Sequence, residues 1–148
     1  MAVWQFDLFL VGEGNALPLL MDDGWELPQL LAASTLNAQA TLAASMGHLW
    51  LMMDDWVVFG NEESTRIDFM FNEADEVEIR VRLSASASAA DLDAVCRFAC
   101  ELHCKLFDPA TGVLLQPDRS SVASAWAMSR AAGFSRSPRA FLSGQSEA

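Results

Sequence analysis

The sequence predicts an α+β domain: an antiparallel β-sheet of about five to six strands, with two to three helices packed mainly on one face. Three observations carry this expectation. Residues 65–71, TRIDFMF, and 76–83, EVEIRVRL, alternate with period two, turning Ile67, Phe69, Phe71, Val77, Ile79, Val81 and Leu83 toward a core. Residues 30–46 have the alanine and leucine richness of a helix, and the apolar residues of 89–104 line up at helical rather than alternating spacing. The connections NEES (61–64) and NEAD (72–75) are polar and of hairpin length.

In chain order, VWQFDLFLV (3–11) reads as a strand closed by GEGN. PLLMDDGWELPQ (18–29) reads as a loop with turn residues, and Leu30–Met46 as a helix ended by Gly47. LWLMMDDWVVFG (49–60) holds one bent strand or two short ones. In the two alternating strands Arg66, Asp68 and Met70, with Glu78, Arg80 and Arg82, form the opposite face, so one-sided burial is expected. SASASAA (84–90) is a loop running into a helix opened by a capping box of Ser88 and Asp91 and extending through Cys104. Its stripe is Leu92, Val95, Cys96, Ala99, Leu102 and His103. KLFDPATGVLLQP (105–117) is a hairpin turning at PATG. A helix from Ser120 to Ala132 carries Val122, Trp126 and Met128, and RSPRAFL (136–142) adds a last turn. No low-complexity linker divides the chain. Residues 1–142 are expected to form a single α+β domain, and 143–148 a flexible C-terminal tail.

Composition narrows function by exclusion. The 148 residues are 52% hydrophobic and 20% charged, a folded composition large enough for a core without disulfides or metal. The formal net charge is -11, which argues against nucleic acid or an anionic membrane as partner. The asymmetry is sharper than the sum. Residues 1–65 carry Asp7, Glu13, Asp22, Asp23, Glu26, Asp54, Asp55, Glu62 and Glu63 and no lysine or arginine, whereas Arg119, Arg130, Arg136 and Arg139 lie toward the other end. The opening residues lack a positive leader region, and Asp7 interrupts their apolar run. With three cysteines, an odd number, reduced thiols and a cytoplasmic location are expected.

The candidate chemistry is thin. CRFACELHC (96–104) is the most metal-like string. If it is helical throughout, Cys96 and Cys104 stand ~12 Å apart, too far to share one zinc ion. Cys100, His103 and Cys104 would need further ligands, and His48 is the obvious one. With two histidines in the chain, one of them beside the cysteines, a Cys–His nucleophile pair finds little support. Nucleophile-elbow, phosphate-loop and zinc-protease motifs are missing. GEGNAL (12–17) lacks the third glycine of a dinucleotide loop. No catalytic residue, metal ligand or cofactor is assigned.

The acids remain. MDDGWE (21–26) and MMDDW (52–56) each set an aspartate pair between methionine and tryptophan. Within a strand, Asp54 and Asp55 would point to opposite faces, against a shared site. Asp22, Asp23, Asp55 and Asp68 converging from several elements would make a metal-dependent hydrolase or small-ligand enzyme, the alternative function. Asp22, Asp23, Asp54, Asp55, Glu62 and Glu63 are instead expected to form an acidic surface that steers a basic protein, with Trp25 and Trp56 as apolar anchors.

DDWVVFG (54–60), EVEIRVRL (76–83), the helix followed by LFDPATGVLLQPD (to residue 118), and SRAAGFSRSPRAFL (129–142) together resemble small cytoplasmic immunity proteins of bacterial polymorphic toxin systems. The resemblance implies a non-enzymatic protein that neutralises a toxin by direct binding. A homodimer formed through an exposed sheet edge is a further expectation.

Overall fold

The structure, a computed structural model, describes residues 5–14, 16–61, 65–84 and 86–129. The expected last turn over 136–142, the tail and Glu62 and Glu63 lie outside these residues. The described strands are β1 (Gln5–Gly12), β2 (Leu19–Met21), β3 (Gly24–Glu26), β4 (Leu30–Leu31), β5 (Trp50–Met53), β6 (Trp56–Gly60), β7 (Arg66–Phe71), β8 (Glu76–Ser84), β9 (Cys104–Asp108) and β10 (Val113–Leu115). The helices are α1 (Leu36–Met46), α2 (Ala89–Glu101) and α3 (Arg119–Ala127).

The main sheet runs β10-β9-β1-β8-β7-β6-β5, with every pairing antiparallel. Strand β1 changes partner along its length. Gln5–Phe9 pair with β8, and Phe9–Gly12 pair with β9. Where β1 leaves β8, β4 takes its place, with Leu30 opposite Val77. The described strands outnumber the five to six expected because the extra ones are two or three residues long, below the reach of an alternation signal. The short pair β2–β3 forms a separate hairpin.

The alternating strands fold as their pattern dictates. Ile67, Phe69, Val77, Ile79, Val81 and Leu83 are all fully buried on one face, joined there by Phe6, Leu8, Leu10 and Leu106. The helices close this face. Ala38 and Leu42 of α1, Val95, Phe98 and Ala99 of α2, and Val122 of α3 belong to the same core cluster.

Helix α2 starts at the capping box read from the sequence. The Ser88 hydroxyl accepts from Asp91 N–H at 3.1 Å, and the Asp91 carboxylate accepts from Ser88 N–H at 3.1 Å. Ser88→Ala should therefore cost about 1 kcal/mol, seen as a fall in melting temperature of roughly 2–4 °C. A fall no larger than that of a neutral surface substitution would remove the cap's energetic role.

Several boundaries differ from the sequence expectation. Helix α2 ends at Glu101 rather than Cys104 because His103 takes a left-handed φ of 55° and turns the chain into β9. The helix expected from Leu30 begins at Leu36, after β4 and a 3-10 turn over Ala32–Thr35. Residues 18–29 are not simply a loop but contain β2 and β3.

The expectation of one-sided burial is also overturned. On the face away from the helices, Arg66 is 5% exposed and Asp68 is 0% exposed. Asp68 lies opposite Arg80 on one side and Val58 on the other. Its carboxylate accepts from Arg66 Nε and Nη2 (2.9 and 2.9 Å), Arg80 Nη2 (2.7 Å) and Trp56 Nε1 (2.9 Å). One row away, Asp7 and Arg82 form a two-point ion pair at 2.9 and 3.2 Å. The buried charges of this face are matched within β7 and across to β8 and β1, while Met70, Glu78, Arg80 and Arg82 remain half-buried.

Candidate partner-binding surface

The two Met-Asp-Asp segments are structurally equivalent. Met21 pairs with Gly24 across β2–β3, leaving Asp22 and Asp23 as the turn. Met53 pairs with Trp56 across β5–β6, leaving Asp54 and Asp55 as the turn. The aspartates are thus hairpin corners, where a short polar side chain tolerates tight backbone geometry. The strand-geometry objection to Asp54 and Asp55 acting together does not apply, since neither lies in a strand. All four are exposed.

Each tryptophan pins its hairpin to the sheet. Trp25 packs edge-on against Phe107, with ring centroids 4.8 Å apart, and donates Nε1–H to the Pro109 carbonyl at 3.0 Å. A Cβ on Gly112 would lie 3.3 Å from the same ring, and that glycine has φ +72°, so the β9–β10 turn is shaped to seat it. Trp56 donates to Asp68, and the Arg80 guanidinium lies 5.6 Å from its ring centroid. Both side chains are half-buried structural anchors.

The sheet keeps the two acidic corners apart. Trp25 sits on β9 and Trp56 belongs to β6, four strand spacings away, which is ~19 Å. The β5–β6 turn also lies at the opposite end of the sheet, where the Asp55 carbonyl accepts from Phe71 N–H. Asp22 and Asp23 therefore do not share a site with Asp54 and Asp55, and Asp68 is committed to two arginines. Among the described residues, no group of three His, Cys, Asp or Glu side chains is placed to hold a metal ion.

The cysteines are likewise separated. Cys96 is on α2, and Cys104 is on β9 inside the core. Burial pushes both thiols up to about 11, which keeps them protonated and poorly suited to nucleophilic or metal chemistry. Among the described residues, no helix is long and apolar enough to cross a membrane.

What the sequence reading missed is the apolar part of the β2–β3 corner. Leu17, Leu19, Leu20 and Met21 are 66%, 60%, 69% and 49% exposed. Leu17 stands between two clefts. One, of about 340 Å³, is lined by Val11, Glu13, Lys105 and Leu114 among others, and a smaller one reaches Leu19, Glu26 and Leu27. The missed signal was the pair of leucines before MDDGWE, unexplained by a helix or a core strand. No family model, curated protein or solved structure matches the chain.

Proposed function

We propose that this protein is a non-enzymatic binding protein that holds a basic protein partner at the β2–β3 corner. The observation that carries this reading is the exposure of Leu17, Leu19, Leu20 and Met21 beside Asp22, Asp23 and Glu26 on a hairpin fixed by Trp25. Leu19 and Met21 lie on one face of this two-stranded ribbon and Leu20 on the other, opposite Trp25, and exposed apolar side chains gathered beside charge are the usual form of an association surface. The carboxylates supply long-range attraction, and the leucines and methionine supply area to desolvate. Neutralisation of a basic toxin domain, the role implied by the resemblance to immunity proteins, is the specific form proposed. It requires no catalytic residue. Of the acids expected to act together, Asp22 and Asp23 are assigned to this surface and Asp54 and Asp55 are not.

The test begins with recovery of the partner from native-host extract, using the whole chain as bait. Asp22→Lys with Asp23→Lys should then slow association about tenfold at low salt, with a smaller effect at high salt. Asp54→Lys with Asp55→Lys should change the rate much less. Equal rates for all three proteins, each folded by circular dichroism, would place the partner elsewhere.

A further inference from the structure

Strand β5 ends the sheet, paired to β6 alone among the described residues. Exposed edges in soluble proteins are ordinarily guarded by lysine, proline or an inward charge. Here the sequence from Leu49 to Met53, LWLMM, carries none of these. Leu49, Leu51 and Met53 are 46%, 57% and 62% exposed. The other edge, β10, is only three residues long and is followed closely by Pro117.

We propose that β5 pairs antiparallel with β5 of a second copy, about a two-fold axis through Leu51, joining two sheets into one. In this register Leu51 faces its own symmetry mate and Leu49 faces Met53. Apolar side chains meet apolar ones, the self-complementarity that a two-fold interface demands. The irregularity between Leu51 and Met53 confines regular pairing to the residues around Leu51, while Trp50 and Leu51 keep their partners Val58 and Val57. A second copy suits this edge better than a basic protein does, because these five residues offer no charge to attract one. Two chains of net charge -11 repel through most of their surface, and this uncharged strand is where they can meet at least cost. The proposal is independent of the partner surface at the β2–β3 corner, which stays open in such a dimer.

The test uses the full chain alone. Sedimentation at high micromolar concentration should give twice the chain mass. Leu51→Lys, which sets two ammonium groups against each other at the axis, should raise the dimer dissociation constant at least about tenfold. Val113→Lys on the other edge should not. Because Leu51 is exposed, the variant should keep the wild-type circular dichroism spectrum. In a Cys100→Ser background, Leu51→Cys should form a disulfide-linked dimer under mild oxidation, Cys96 and Cys104 being buried. A monomer at every concentration overturns the proposal, as does a dimer that resists Leu51→Lys and does not cross-link at position 51.

Discussion

Replacing Asp68 by alanine is expected to lower the unfolding free energy by about 3–5 kcal/mol. The carboxylate is fully buried and is the shared acceptor for Arg66, Arg80 and Trp56. Removing it leaves the Arg66 guanidinium in place, 5% exposed and stripped of its counter-ion. That uncompensated charge is the main cost, larger than the hydrogen bonds themselves. Removing both members of the closest pair should be milder, since Arg66→Met with Asp68→Leu takes charge and counter-charge away together. Arg80 would remain, but it is partly exposed and rests over Trp56. Denaturant unfolding of the three proteins checks the ordering. If the double variant is as unstable as Asp68→Ala, stranded charge is not the cause.

The same carboxylate makes stability depend on acid. Burial pushes its pKa up, but the hydrogen bonds from Arg66, Arg80 and Trp56, together with the charge of Arg66, outweigh that and hold it below the ordinary 3.8. A depressed folded pKa means that the unfolded chain takes up the proton first. The contribution is therefore complete above the ordinary aspartate range and is lost as pH falls below 3.8 toward the folded value. Wild-type stability should accordingly decline in that window more steeply than that of Asp68→Ala.

Long-period patterns were legible in the sequence and short ones were not. Period two in residues 66–71 and 76–83 placed every core residue of β7 and β8 on the correct face, because each strand is long enough to repeat its pattern. The Ser88–Asp91 box located the start of α2, since capping is local chemistry. The end of α2 was hidden. Leu102, His103 and Cys104 keep an apolar spacing that serves a helix or a following strand equally well, and only the left-handed turn at His103 decides between them. Alternation also says that two faces differ, not that the polar face is wet. Asp68 looked solvated until register placed it between Arg80 and Val58. At the candidate site, Asp22 and Asp23 were found as residues but not as a hairpin tip. Their separation from Asp54 and Asp55 follows from strand order, which no local signal encodes.

Phe69→Ala should destabilise by about 3–5 kcal/mol, through lost transfer energy and the cavity left behind. Phe69 is 0% exposed and holds together three elements. Its ring lies 5.6 Å from Phe59 of β6 and 5.9 Å from Phe98 of α2, both edge-on, and stacks on Phe71 at 6.2 Å. Collapse around the gap is limited because its neighbours are fixed by sheet hydrogen bonds on one side and a helix on the other. Phe69→Leu, which keeps most of the volume, should cost no more than about 1.5 kcal/mol. Phe69 and Asp68 are adjacent in sequence and of similar expected weight, yet pH tells them apart. The deficit of Asp68→Ala relative to wild type should shrink as pH falls from 3.8 toward the folded pKa of Asp68, because the unfolded wild-type chain takes up a proton there that the folded chain, with Asp68 held by Arg66 and Arg80, resists. The deficit of Phe69→Ala has no titrating group behind it and should stay constant over the same range. Parallel acid dependence of both deficits would show that the two faces of β7 do not act separately, and that an uncompensated Arg66 charge is not what sets the Asp68→Ala deficit.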